Sequence, residues 1–223
     1  MILGVDLDGV CGDFSSAFRQ VVADDLGIAA DALPPRQNWD FSEWGITDEE
    51  HFRRLHRTAV LEHRVFRTMP LIDGCADALW RLSDAGVWIR IITHRLYINW
   101  GHQEAVADTV GWLDEHGIPF RDLCFLGAKP EVQADLYIDD APHNIEALRS
   151  AGNDVIAFAQ PYNRDVGGMR ATTWDEVEAI VLARLVDSGT AIHQRLPGLD
   201  DGPERLRRRR ENGPLSDGAD QPG

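Results

Sequence analysis

Cysteine is scarce in this chain. Cys11, Cys75 and Cys124 are odd in number and lack metal-ligand spacing. That excludes a disulfide-stapled or cysteine-ligated metal scaffold and points to free thiols in a reducing compartment. Cys11 reads as a small packing residue. Long apolar runs are missing too; none approaches the roughly 20 residues of a membrane span. The N-terminus has no basic region ahead of a long apolar core, so no secretory signal is expected. Basic charge is also in short supply. With 22 Lys and Arg against 37 Asp and Glu, the formal charge is −15, which argues against nucleic acid or an anionic membrane as partner. A small anionic substrate stays compatible, because a bound metal can dominate the field of its own site. No internal repeat is present. A soluble, cytoplasmic protein is expected.

What remains is a chain of 223 residues with 43% hydrophobic content, enough for one domain or one domain with an insertion. Its most informative stretch is the first, MILGVDLDGVCGD. A short apolar run (Ile2, Leu3, Val5) leads into Asp6 and Asp8 and is broken by Gly9 and Gly12. This pattern reads as a buried strand ending in a loop. Residues at i and i+2 share a face of an extended segment, so both carboxylates can converge on one site. Converging carboxylates repel unless a cation lies between them. Mg²⁺, a hard cation with oxygen ligands, suits that need beside a phosphate. Taken alone, the tripeptide could equally be a solvated acidic turn.

In chain order, Phe14 to Leu26 shows helical spacing with Gly27 as its stop. Leu33-Pro34-Pro35 breaks the pattern, and an aromatic cluster follows in a turn-like context around Trp39, Phe41 and Trp44. Thr47 is the expected N-cap of the next helix, with Glu50 as its box partner. Residues 15–70 hold no convincing strand and read as a small helical insertion, a cap over the site. Beyond it, helices over Cys75–Ala85, Asn99–His116, Ala141–Ser150 and Trp174–Val186 alternate with strands over Val87–Thr93, Leu123–Leu126, Ala134–Ile138 and Val155–Phe158. Alternation of this kind implies a parallel, doubly wound α/β sheet. From Ser188 the chain turns to Pro, Gly, Asp and Arg and reads as a disordered charged tail; its run Arg207–Arg210 is flanked by acids. The expected organisation is therefore a core of 1–14 and 71–187, a cap of 15–70 and a tail of 188–223.

Parallel strands bring their carboxyl ends to one edge of the sheet. That edge would carry Asp6 and Asp8, then Thr93, Lys129, and Asp139 with Asp140. Singly, each has a plainer reading. Thr93 could just end a strand, Lys129 could be a surface lysine, and the Asp pair could cap the next helix. In order, however, DLDGV, IITHR, Lys129 and YIDDAPHN resemble the four signature motifs of the haloacid dehalogenase superfamily. The resemblance spans residues 1 to about 186, with the insertion where that superfamily places a helical cap.

The resemblance implies a Rossmann-like fold, Mg²⁺ as cofactor, and a division of labour. Asp6 would be the nucleophile and Asp8 the general acid and base. Thr93 would donate to a phosphoryl oxygen, and Lys129 would neutralise charge. Asp6, the Asp8 backbone carbonyl, Asp139 and Asp140 would hold the metal. His143 and Asn144 would support the Asp pair. Asp8 is absent from the superfamily's dehalogenases, so phosphoryl chemistry is expected.

Within the superfamily the chain resembles the 5′(3′)-deoxyribonucleotidase group, in which cap aromatics stack on the nucleobase. Phe14, Phe66, Trp39, Phe41 and Trp44 are the candidates here, unless they form the cap's own small core. That group commonly has Thr-Ser-Pro where this chain has Thr93-His94-Arg95. His94 joins the substrate-binding candidates, and Arg95 reads as either a phosphate-binding group or a salt-bridged edge residue. The segment Gln160–Arg164 is either a rim of the site or a turn. The expected activity is a Mg²⁺-dependent phosphomonoesterase, a 5′-nucleotidase acting on (deoxy)nucleoside monophosphates. The alternatives are a phosphatase for another metabolite, such as a sugar phosphate, or a catalytically idle nucleotide-binding regulator. A homodimer stays open.

Overall fold

The computed structural model describes residues 1–96, 98–125 and 128–187. The tail from Ser188, with its Arg207–Arg210 run, and the end of the expected strand at Leu126 lie outside the described residues. Six strands form one parallel sheet in the order β3-β2-β1-β4-β5-β6. They are β1 (Ile2–Val5), β2 (Trp88–Thr93), β3 (Asp122–Phe125), β4 (Leu136–Asp139), β5 (Val155–Phe158) and β6 (Arg170–Ala171). The two-residue β6 is too short for sequence periodicity to reveal.

Side-chain alternation sorts the sheet into two faces. Ile89 and Ile91 of β2, Leu136 and Ile138 of β4, and Ile156 and Phe158 of β5 enter the large core. Ile92, Tyr137, Val155 and Ala157 point the other way, into a smaller cluster with Ile145 and Leu148. The smaller cluster is covered by α6 (Pro142–Ser150). On the larger side, α4 (Cys75–Asp84) packs against α7 (Trp174–Asp187), and α5 (His102–Glu115) adds Ala105, Trp112 and Leu113. The strand order reverses between β1 and β4, which are hydrogen-bonded neighbours. Ligands of open α/β sheets bind at such a reversal.

Between β1 and α4 the chain runs through α1 (Phe14–Leu26), α2 (Glu49–Leu61) and α3 (Val65–Thr68), with 3₁₀ turns at Ala30–Ala32 and Ser42–Trp44. Its exit and return lie side by side. Asp13 N–H donates to Pro70 O at 2.8 Å, and Ile72 N–H donates to Cys11 O at 2.8 Å. Helix α3 is fixed to α5 by a bidentate pair, Arg64 on the buried Asp108, with contacts of 2.5 and 2.6 Å. The α2 cap differs from the expected one. Asp48, not Thr47, is the N-cap, and its carboxylate accepts from His51 N–H at 2.8 Å. Asp outranks Thr as a cap because a charged acceptor meets the helix's free N–H groups. Helix α5 also starts three residues later than the spacing suggested, after Gly101.

The loop after β1 is held from behind by α7. The buried Trp174 donates its indole N–H to Val10 O at 3.0 Å. Trp174→Phe leaves that buried carbonyl without its donor and should cost about 1–3 kcal/mol. Urea unfolding checks this; an unchanged midpoint would contradict it.

Candidate active site

The site assembles where β1 and β4 end side by side. Asp6 follows β1, and Asp139 ends β4. Lys129, at the start of a 3₁₀ turn ahead of β4, reaches between them. Its ammonium lies 2.8 Å from Asp6 Oδ1 and 2.6 Å from Asp139 Oδ2. Lys129 is also the sole lysine of the chain, and it is buried. Asp139 Oδ1 accepts from Ala141 N–H at 3.0 Å and from Asn144 Nδ2 at 3.3 Å, so Asn144 supports the pair from the first turn of α6. Asp139 thus orients the turn into α6, whose N-cap is Ala141. Asp140 accepts from the Tyr162 hydroxyl, and Asn163 Nδ2 donates to Asp140 O at 2.7 Å. The segment after β5 is therefore both a 3₁₀ turn and a wall of the site.

Carboxylate oxygens of Asp6, Asp139 and Asp140 lie within 4.8 Å of one another, all buried. Burial pushes the Asp6 pKa up from 3.8 to about 7; Lys129 pulls it down, while Asp139 and Asp8 push it further up. Burial, then Asp6 and Asp139, raise Asp140 well above the usual carboxylate range. Burial works against the Lys129 charge, but Asp139 and Asp6 outweigh it and raise the ammonium's pKa. Oxygen-only donors with unbalanced negative charge fit a hard divalent cation. Gly9 is needed here for its backbone: its φ is +85°, and a Cβ would meet Asp140 Oδ2 at 2.2 Å.

Thr93 Oγ1 and His94 Nε2 are buried and have no hydrogen-bond partner among the described residues. Buried unpartnered polar atoms of this kind, with the Thr93 hydroxyl able to donate, suit a ligand between them and Lys129. Asp8, in contrast, is engaged. Arg95 grips it through Nη2–Oδ1 at 2.7 Å and Nε–Oδ2 at 3.1 Å. Cys11, a free thiol, donates to Asp6 O at 3.2 Å and is buried, a packing position.

A cavity of about 1010 Å³ opens above these groups, large enough for a small-molecule substrate. Phe14, Phe66, Trp39 and Phe41 reach it. Trp44 does not. Its ring packs on Phe41 and its indole N–H donates to Pro34 O at 2.8 Å, so it belongs to the insertion's own core. Phe41, only 5% exposed, has its face covered by Arg36 at 3.8 Å. His143 meets Trp39 edge-on across the opening, ring centres 5.0 Å apart.

Several lining residues were not foreseen from sequence. Phe52 and His56 sit four apart on α2 and stack at 5.5 Å. Burial lowers the His56 pKa to about 4, leaving a neutral imidazole among Phe14, Phe66 and Trp100. The i, i+4 spacing was the available signal. Arg36 is clamped between Phe41 and Tyr162, a contact between distant segments that no local pattern announces.

A buried ammonium, an acidic cluster and unpartnered polar atoms thus lie together at the carboxyl edge of this sheet. The family model described as "5′ nucleotidase, deoxy (Pyrimidine), cytosolic type C protein" matches residues 1–186. A Chlorobaculum tepidum protein provisionally named a 5′(3′)-deoxyribonucleotidase is 45% identical over 183 residues, 82% of this chain and 91% of that one. The 5′(3′)-deoxyribonucleotidase of Bacillus subtilis is 25% identical over 187 residues, 81% and 98% of the two chains. Solved structures share the fold: a haloacid dehalogenase-like hydrolase of Streptococcus pneumoniae (TM-score 0.55, 15% identity, 81% of this chain and 97% of that one) and a haloacid dehalogenase-like protein of Agrobacterium tumefaciens (TM-score 0.53, 17% identity, 82% and 98%). The chain belongs to the family described as "5′ nucleotidase, deoxy (Pyrimidine), cytosolic type C protein" and is a phosphoric monoester hydrolase. No helix among the described residues is long and apolar enough to cross a membrane.

Without a cation, Asp6 keeps its proton in the folded state to about pH 7, but in the unfolded chain only to about 3.8. Acid therefore favours the folded state, and this contribution is lost as pH rises between the two values. A cation bound by the ionised cluster stabilises the folded state most where protons no longer compete. Added Mg²⁺ should raise the melting temperature more at about pH 8 than at about pH 5, and Asp139→Asn should remove most of the gain. An equal shift at both pH values would contradict this.

Proposed function

We propose that this protein is a Mg²⁺-dependent nucleotidase that hydrolyses (deoxy)nucleoside 5′-monophosphates through an aspartyl-phosphate on Asp6. The observation carrying the reading is the Lys129 ammonium shared by Asp6 and Asp139 beneath a cavity walled by aromatic rings. Asp6, Asp139, Asp140 and the Asp8 backbone carbonyl would hold Mg²⁺. When bound, the ion supplies positive charge to the phosphoryl oxygens and to the ionised Asp6.

The chain's own groups then divide the work. An Asp6 oxygen attacks phosphorus and the bond to the sugar 5′ oxygen breaks. Asp8 gives its proton to that leaving alkoxide, then as carboxylate takes a proton from the water that attacks the acyl phosphate. Products are the nucleoside and inorganic phosphate, and Asp6 is regenerated. Lys129, Thr93 Oγ1 and His94 Nε2 hold the phosphoryl group in line; positioning and charge stabilisation supply most of the rate in such transfers. The helical segment 15–70 acts as the cap. Trp39 of that segment and Phe14 just ahead of it accept the nucleobase, with Phe66 and Phe41 packed behind them as wall; stacking is worth roughly 1–3 kcal/mol per base.

Phosphate release in Mg²⁺ should occur with nucleoside 5′-monophosphates and fall to background in Asp6→Asn. Release confined to sugar phosphates would keep the mechanism and overturn the substrate. Turnover surviving in Asp6→Asn would overturn the nucleophile, and no release from any ester by the native protein would leave a nucleotide-binding role instead. Phe14→Ala should raise KM for a nucleotide about tenfold, the loss of one stacked ring; a KM unchanged would remove Phe14 from the base site.

A further inference from the structure

Arg95 is the most elaborately held cation near the site, and it does not face open solvent. Its side chain is 1% exposed, against 29% for Asp8. Two of its nitrogens fork onto the two Asp8 oxygens. Nη1 donates to Thr109 Oγ1 of α5 at 2.9 Å, and that hydroxyl is itself anchored on Ala105 O at 2.6 Å. Nη2 also lies 3.4 Å from Met69 Sδ, on the segment returning from the insertion. The flat of the guanidinium covers the Phe66 ring, 4.3 Å from its centre. The guanidinium is thus fixed from α5, from α3 and from the return segment, and its free edge is turned to Asp8.

We infer that Arg95 is a positioning residue for the proton-transfer step: it locks the Asp8 carboxylate in one rotamer, with its remaining lone pairs toward the cavity. This rests on the reading of Asp8 as general acid and base. An unheld aspartate samples several staggered rotamers, whereas proton transfer needs one, within hydrogen-bond reach of the leaving oxygen. A carboxylate has about four acceptor sites, and the fork uses one on each oxygen, so the held group can still exchange a proton. Only a planar fork fixes both oxygens; a lysine ammonium is a point charge on a flexible stem. The contact with Phe66 also ties the Asp8 orientation to a ring that lines the substrate cavity.

The test compares two esters in Mg²⁺: a nucleoside 5′-monophosphate, whose alkoxide needs a proton to leave, and p-nitrophenyl phosphate, whose phenolate does not. The ratio kcat/KM reports only steps through the first transfer. Asp8→Asn sets the scale, with about 10²–10⁴-fold loss on the nucleotide and a much smaller one on the nitrophenyl ester. Arg95→Ala and Arg95→Lys should each lose about 100-fold on the nucleotide, through kcat with KM little changed, and far less on the nitrophenyl ester. Added guanidinium should restore part of the Arg95→Ala loss. In the Asp8→Asn background, Arg95→Ala should cost nothing further. Melting curves of Arg95→Lys separate a folding defect from a positioning one. Equal loss on both esters, or loss carried by KM, would overturn the inference and make Arg95 a phosphate-binding residue; no loss would make it a bystander. If Asp8→Asn shows no ester-dependent loss, the acid and base reading itself fails, and that result is distinct from a failure of Arg95 alone.

Discussion

A buried ammonium between two carboxylates is the constraint on which the rest depends. Lys129 touches Asp6 and Asp139 at 2.8 and 2.6 Å, and so ties together the ends of β1 and β4, the neighbours at which the strand order reverses. Desolvation penalises each of these charges. Burial, and after it the neighbouring carboxylates that one ammonium does not offset, push the Asp6 pKa up to about 7 and Asp140 above the carboxylate range. With all three ionised, the cluster of Asp6, Asp139 and Asp140 exceeds the Lys129 charge by two, the complement of a divalent cation. With the site empty, protons on the raised carboxyls relieve the repulsion, and a divalent cation would do so in their place.

Around that centre, polar groups at the strand ends face a wall of aromatic rings across the cavity. Asp6 and Asp139 sit at strand ends, and Asp8 on a loop pinned by Trp174. The aromatic wall comes mostly from the segment between β1 and α4, which leaves and rejoins the core through the paired stretches near Asp13 and Pro70. Arg95 spans the two regions, touching Asp8 in the core and Phe66 above it. Trp39 and Tyr162 meet at 5.4 Å with Arg36 beside them, a second bridge between insertion and core.

The sheet was legible in sequence because its strands are short apolar runs ending in polar signatures, and the helices between them carry clear periodicity and glycine stops. Residue types at the strand ends were legible for the same reason. Lys129 carried an extra signal, since a chain whose other basic residues are all arginine has one lysine to place. What escaped depended on tertiary contact. Asp48 displaced Thr47 as a cap because two capping residues stood adjacent and only the backbone angle selects between them. Two-residue β6 has no period to read. Trp44, grouped with the stacking aromatics, turned inward to Pro34, whereas His56, a polar residue on an amphipathic helix, turned into the aromatic wall. Arg36 and Tyr162 gain their meaning only by meeting across the fold.

The most direct test of the central claim is to look for the covalent intermediate. Asp8→Asn protein, mixed with p-nitrophenyl phosphate and Mg²⁺ and quenched in acid, can be digested and read by mass spectrometry. The account predicts a phosphoryl group on the N-terminal peptide, localised to Asp6, that accumulates because the variant lacks the base needed to hydrolyse it. Nitrophenol released in step with free phosphate, with no phosphorylated peptide at any quench time, would contradict it and point to direct attack by water.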